Sequence, residues 1–209
     1  MRAFLLYEIG VFGNAPAVAA DARAIADKYI NDPASVDASL GNMALYVAAR
    51  GGDAALFERI QHLYLSTGNP NLKAVALNVL SNFSSSELIA RALDFDTSDQ
   101  VRNQDAVFAI IQPLYKDSTR DVGWSYVKTN WDKVHSQLTE SNGGALVQAA
   151  GNFCSAAARK DVEEFFGTHK VAASSTTLKH SLENIDNCIE FRSLQEPQLK
   201  TWLDTQPKF

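Results

Sequence analysis

Four histidines, one pair of adjacent glutamates, two cysteines and two polar clusters are the side chains of this sequence whose types could do chemistry. Two imidazoles grip one zinc ion from a helix face when they stand four residues apart, as in HExxH. His62, His135, His169 and His180 contain no such pair, and His169 and His180 have no cysteine or histidine companion at ligand spacing. Glu163 and Glu164 are too close in sequence for paired acid–base work. Adjacent residues on a helix point about 100° apart, and acids early in a helix suit the positive end of its dipole. No GxSxG nucleophile elbow, GxGxxG turn or phosphate loop occurs. Cys154 and Cys188 have neither metal-binding nor redox spacing. Each is expected as a small buried hydrophobe on a helix face, with a disulfide between them left open. No catalytic and no metal-ligating residue is therefore assigned.

Two polar places remain. In "VRNQDAVFAII", Arg102, Gln104 and Asp105 open a helix that is otherwise very apolar. Such a cluster either bonds neighbouring helix ends or faces a cavity and meets a ligand. Arg120, beside a candidate Ser118 cap and Asp121, carries the same two readings. "GWSYVKTNW" raises a third question, because two tryptophans flank a lysine. Trp124, Val127, Trp131, Val134 and Leu138 step by three and four, so they fall on one inward stripe. Lys128 and Lys133 lie off it. The stretch reads as core, and alanine at Trp131 is expected to cost about 3–5 kcal/mol.

The elements that must position these residues are all helical. Apolar residues recur at three- and four-residue steps, as at Leu88, Ile89, Ala92 and Leu93, whereas sustained alternation is missing. Ser84 and Glu87, and again Ser193 and Glu196, have capping-box spacing. Asn69 is a candidate N-cap with Pro70 at the first helical position. Pro113 should kink the last turn of its helix. The pattern predicts helices near 2–12, 15–31, 34–50, 53–67, 70–82, 86–95, 99–116, 119–138, 142–156, 158–168, 174–191 and 195–205. Short turns at Gly51-Gly52, Gly68-Asn69-Pro70 and Asn142-Gly143-Gly144 separate some of them, so neighbours should pack as antiparallel hairpins. The expected fold is all-α, a right-handed superhelix of hairpins of the HEAT or armadillo kind, in one domain over 1–209. The hairpins carry no tetratricopeptide or ankyrin consensus.

Composition narrows the function classes. The net charge of −5 and the pI near 5.3 come with no basic patch, which argues against a nucleic-acid partner. No apolar run reaches the length of a membrane span. Glu8 interrupts the short apolar opening, so that segment reads as a helix and not a signal peptide. Modest cysteine use and no visible signal are compatible with the cytoplasm.

The order of segments resembles a known family. "LKAVALNVLSNFSSSELIARAL", "VRNQDAVFAII", "GWSYVKTNWDKV", "VEEFFGTH" and "LKHSLENIDNCIEF" are similar to the C-terminal helical domain of zinc-dependent aminopeptidases, among them aminopeptidase N and puromycin-sensitive aminopeptidase. The residues carrying the likeness are Val101, Arg102, Gln104 and Asp105; Trp124, Tyr126, Asn130 and Trp131; and Val162, Phe165 and Phe166. Fainter likeness runs from Arg2 to Trp202. The resemblance implies a superhelical bowl that covers a thermolysin-like catalytic domain, encloses the peptide and shapes its access. Zinc and the catalytic residues belong, on this resemblance, to that other domain. The implied partners are that catalytic domain and a peptide substrate. No peptide-contacting residue is transferred, so substrate-binding positions stay unknown. The resemblance further implies that Met1 opens partway into the helical domain, as a C-terminal fragment of a longer aminopeptidase. The rival function is a free-standing α-solenoid scaffold that binds a protein or peptide on its concave face.

Overall fold

Five of the α-helix starts among the described residues are set by a short polar side chain that accepts a backbone N–H. Asp37 accepts from Leu40, Asp53 from Leu56, Asn69 from Asn71 and Leu72, and Ser155 from Ala158. Each satisfies an orphan donor of a first turn, an interaction worth about 1 kcal/mol. The structure, a computed structural model, describes residues 1–13, 15–139 and 142–206. Among these lie twelve α-helices: α1 (Arg2–Val11), α2 (Pro16–Asn31), α3 (Ala38–Arg50), α4 (Ala54–Ser66), α5 (Pro70–Leu80), α6 (Ser86–Asp96), α7 (Asn103–Ile111), α8 (Arg120–Thr129), α9 (Trp131–Gln137), α10 (Gly143–Ala149), α11 (Ala156–Thr168) and α12 (Ser175–Asp204). Single 3-10 turns occupy Pro33–Ser35, Gln112–Tyr115 and Ala150–Asn152. No strand occurs among the described residues, so the fold class is all-α.

Several local expectations change. The cap of α6 is Ser85, which accepts from Leu88 N at 3.4 Å, and not Ser84. The segment predicted over 99–116 becomes α7 followed by a 3-10 turn holding Pro113, a position whose missing N–H disturbs no α-helical ladder. The segment predicted over 119–138 divides at Asn130, whose φ of −113° and ψ of 32° end α8. Its carbonyl then accepts from Val134 N at 3.0 Å, so one residue closes one helix and starts the next. The segment predicted over 142–156 stops as an α-helix at Ala149. The expected break before 195 is absent: α12 runs through Ser193 and Glu196 with Pro197 inside it.

Two compact units are present, Met1–Gln137 and Leu138–Phe209. In the first, each odd-numbered helix packs on the next odd-numbered one, α1 on α3, α3 on α5, α5 on α7 and α7 on α9. Neighbours in sequence also pair, α2 with α3, α4 with α5 and α6 with α7, while α6 lies against α8. The buried layer between them is built from Leu45, Leu56, Phe57, Ile60, Tyr64, Leu80, Phe83, Ile89, Leu93, Ile110 and Leu114. Phe57 meets Phe83 edge-on at 5.4 Å, and Tyr64 meets Phe95 at the same distance. Gly41 permits the tight packing of α3 on α2, since a Cβ there would stand 2.5 Å from the Tyr29 ring.

One acid is enclosed in this layer. Asp96, fully buried at the end of α6, receives a hydrogen bond from Ser81 Oγ at 3.1 Å, and its Oδ1 has no partner. Burial pushes its carboxyl well above the usual carboxylate range. The folded state therefore keeps a proton that the unfolded chain releases, and this group's contribution to stability falls as pH rises from its unfolded pKa toward its folded one. Asp96→Asn should remove that slope, so the variant gains stability relative to the wild type as pH rises from 5 to 7. Urea titrations of both proteins at pH 5 and pH 7 test this; an unchanged pH difference in the variant refutes it.

The second unit is smaller. Leu146, Val147, Phe153, Val162, Phe165, Phe166, Leu182 and Ile185 form its core, around which α10 and α11 pack on α12. Ser181 Oγ, buried, donates to Val147 O at 2.9 Å. The 3-10 turn after α10 approaches α12 so closely that a Cβ on Gly151 would stand 3.0 Å from Ser181 Cα. Beside that turn, Cys154 and Cys188 form a disulfide with Cα atoms 5.3 Å apart. Both are half-buried. The expectation of two separate buried thiols is therefore corrected; their spacing of 34 residues carried no information about it.

Candidate functional site

Arg102 and Asp105 meet at an open cleft of about 300 Å³ in the Met1–Gln137 unit. Arg102 is the last extended residue before α7, and Asp105 stands one turn later, so the i, i+3 spacing places them side by side. Arg102 Nε donates to Asp105 Oδ2 at 2.8 Å, and Nη2 lies 2.7 Å from the same oxygen. The guanidinium is 70% exposed, so solvent screens this pair to at most about 1 kcal/mol. Across the cleft, Lys73 of α5 holds its ammonium 4.7 Å from the centre of the Tyr64 ring. The Tyr64 phenol donates to Gln100 O at 3.4 Å, and burial, then the Asp105 carboxylate, push its pKa up. Arg102 and Asp105 pair with each other on the cleft wall. Gln104 is exposed and does not line the cleft.

The cleft offers two cations, one carboxylate, a phenol and a backbone rim. It is suited to holding a polar chain, since each group can donate to or accept from a peptide. It contains no nucleophile with a base at hand. Tyr64 and Lys73 were not singled out from sequence. Helical periodicity assigns Tyr64 to the core, and nothing local says that Lys73 lies over its ring.

The other candidates separate. Arg120 is only 15% exposed and structural: its Nε donates to Leu114 O at 2.9 Å and its Nη1 lies 2.7 Å from Asp117 Oδ1. These bonds fasten the first turn of α8 to the preceding 3-10 turn. Ser118 is not the cap of α8, since Thr119 is the N-cap residue. Trp124 and Val127 are buried, and Val134 is buried on α9. Trp131 and Leu138 are only half-buried, because the break at Asn130 ends the continuous stripe. The Trp131 ring lies 5.2 Å from that of His135. Lys128 reaches back over Trp124, 5.8 Å from the ring centre. Tyr126 ties α8 to α6: its phenol donates to Asp94 at 2.9 Å and lies 2.8 Å from Thr97 Oγ1. Burial foremost, with Asp94 adding to it, pushes that phenol up to about 12.

His62, His135 and His180 are exposed in separate places, while His169 stacks on Phe165 at 4.2 Å. No three His, Cys, Asp or Glu side chains among the described residues converge on a point that would hold a metal ion. The donor set of these residues does not fit the zinc centre that the family resemblance implies. Glu163 pairs with Arg159 at 2.7 Å and Glu164 with Lys160 at 3.6 Å, both on the solvent side of α11. No described helix is long and apolar enough to cross a membrane.

Comparison with known proteins gives one family. Residues 1–187 match the ERAP1-like C-terminal domain. Aminopeptidase M1 of Arabidopsis thaliana is 28% identical over 150 residues, covering 68% of this chain and 17% of that protein. Aminopeptidase 2, mitochondrial, of Saccharomyces cerevisiae is 25% identical over 187 residues, covering 85% of this chain and 20% of its own length. Glutamyl aminopeptidase of Mus musculus is 22% identical over 192 residues, 90% of this chain and 20% of that protein. The chain thus spans a fifth or less of the length of these relatives.

Proposed function

This chain belongs to the ERAP1-like C-terminal domain family, and from that premise we propose that it is the non-catalytic peptide-chamber domain of a zinc aminopeptidase. In this reading the catalytic domain removes N-terminal amino acids, and the present residues form the far wall that encloses the peptide and governs its entry. Zinc and the acid–base residues belong to the catalytic domain, which is also this chain's structural partner. The odd-on-odd helix packing of the Met1–Gln137 unit supports a stacked-hairpin arrangement within that unit. Such stacking makes an extended curved surface while buried faces supply stability.

The observation that carries the reading is the family match over residues 1–187, joined to relatives that are aminopeptidases. Two further features agree with it. Phe4, Leu5, Ile9 and Phe12 leave a large apolar area of the first helix exposed, as expected of a surface that meets more protein. The cleft at Arg102, Asp105, Lys73 and Tyr64 presents hydrogen-bond donors and acceptors of the kind a peptide backbone pairs with.

A photo-crosslinking peptide tests the wall assignment in the full-length protein that carries this domain. A peptide of about ten residues with a photoreactive side chain near its C-terminus should label residues of this domain, and excess unlabelled peptide should compete. Labelling confined to the remainder of the protein would contradict the proposal.

A further inference from the structure

The second half of α12 leaves the packed body of its unit. Ile185 is the last buried residue of the helix, Cys188 is tied to Cys154, and every residue from Glu190 to Thr205 is exposed. At 1.5 Å per residue this overhang is about 24 Å long. The residues matched to the family domain end at 187, so the overhang lies beyond them. It is not a polar arm: Phe191, Leu194, Leu199, Trp202 and Leu203 are 54–66% exposed. At about 100° per residue, the first four of these share an arc of about 140°. Arg192 with Glu196, and Lys200 with Asp204, pair along the other side at 3.5 and 3.3 Å. A helix of this length has little stability from propensity alone and is ordered chiefly by burying its apolar face.

The spacing of the apolar residues identifies the cover. Phe191, Leu194, Leu199 and Trp202 are separated by three, five and three positions, a pattern that reads the same from either end. A two-fold pairing sets residue i against j and j against i. Reversing a second copy about the Glu196–Pro197 bond therefore brings Phe191 level with the partner's Trp202, and Leu194 level with the partner's Leu199. No charge then stands level with a like charge, since Arg192 meets the height of a threonine and Lys200 that of a serine. The area agrees: five such side chains at about 100–150 Å² each give on the order of 600 Å² per copy, so a pair hides about 1,200 Å², where stable interfaces begin. A lipid surface is a poorer match. Helices that lie in one carry Lys and Arg across the polar face, whereas this polar face holds two bases and two acids, paired with each other.

We propose that the overhang of α12 is a self-association element, through which two copies of this chain pair antiparallel on Phe191, Leu194, Leu199 and Trp202. The surface stands independently of the aminopeptidase reading.

Sedimentation equilibrium of the 209-residue chain tests it. The chain should sediment as a dimer at tens of micromolar. Leu194→Glu combined with Trp202→Glu should weaken association tenfold or more, with the circular dichroism still helical. Phe4→Glu combined with Phe12→Glu, which breaks the exposed apolar face of α1 instead, should leave the dimer intact. Orientation gives a second readout. Nitroxides on Gln198→Cys should lie close together across the pair, and those on Thr205→Cys about 25 Å apart. A parallel pair would give the same distance at both positions. A monomer at every concentration, an undiminished dimer in the α12 variant, or loss of the dimer in the α1 variant alone would overturn the proposal. Equal nitroxide distances, or a monomer that floats with vesicles of phosphatidylcholine and phosphatidylserine, would overturn it as well.

Discussion

Reduction of the Cys154–Cys188 bond should destabilise the Leu138–Gln206 segment by about 3–4 kcal/mol. The figure follows from the entropy that a cross-link across 34 residues removes from the unfolded chain. This segment has a small core, so a loss of that size is a large part of its stability. The bond joins the loop before α11 to the middle of α12, at the level where Ile185 is buried. Hydrogen exchange read by mass spectrometry, with and without reductant, checks the result. Protection of α10, α11 and the first half of α12 should fall by two orders of magnitude or more, while α3 to α6 keep theirs. Equal protection in both states, or two free thiols on non-reducing peptide mapping, would contradict it. The double variant Cys154→Ser/Cys188→Ser should reproduce the reduced protein.

The second large effect separates the two tryptophans. Trp124→Ala should cost about 3–5 kcal/mol, because the side chain is 4% exposed between α8 and its neighbours. Trp131→Ala should cost about 1–2 kcal/mol, because part of its ring stays in water and less area is lost. Chemical denaturation of the two variants gives both numbers together. Equal losses would mean that α8 and α9 act as one continuous helix with a single buried stripe. The larger loss at Trp131 expected from the heptad-like spacing would then be right.

These two cases show what was legible in the residues and what was not. Periodicity gives the all-α class and most helices, since a packed helix must bury one face whatever its partners, although it divides the longest, α12, before residue 195. It did not see Asn130, because the apolar period continues in phase across the break. The reason for the break is local: Asn130 takes a non-helical conformation and its side chain bonds back to Tyr126 O at 3.3 Å. Capping-box spacing was similarly ambiguous. Three serines precede Glu87, and the cap fell to Ser85; Ser193 and Glu196 have the same spacing inside an unbroken helix. Asn69 with Pro70 was read correctly, because proline at the first helical position admits few alternatives.

The candidate sites were less legible than the helices. Arg102 and Asp105 stand close in sequence, so their meeting could be anticipated, but their cleft depends on Lys73 and Tyr64 from other helices. Nothing local in the sequence distinguishes Asp96 from the exposed acids, and its enclosure is a matter of tertiary packing beside Ser81.

On the proposed function, this chain shapes a peptidase chamber and leaves bond cleavage to another domain. Hydrolysis of an aminoacyl-coumarin by the purified 209-residue chain, measured with added zinc, tests it most directly. The predicted result is no turnover above the buffer rate. Zinc-dependent turnover that a chelator abolishes would contradict it.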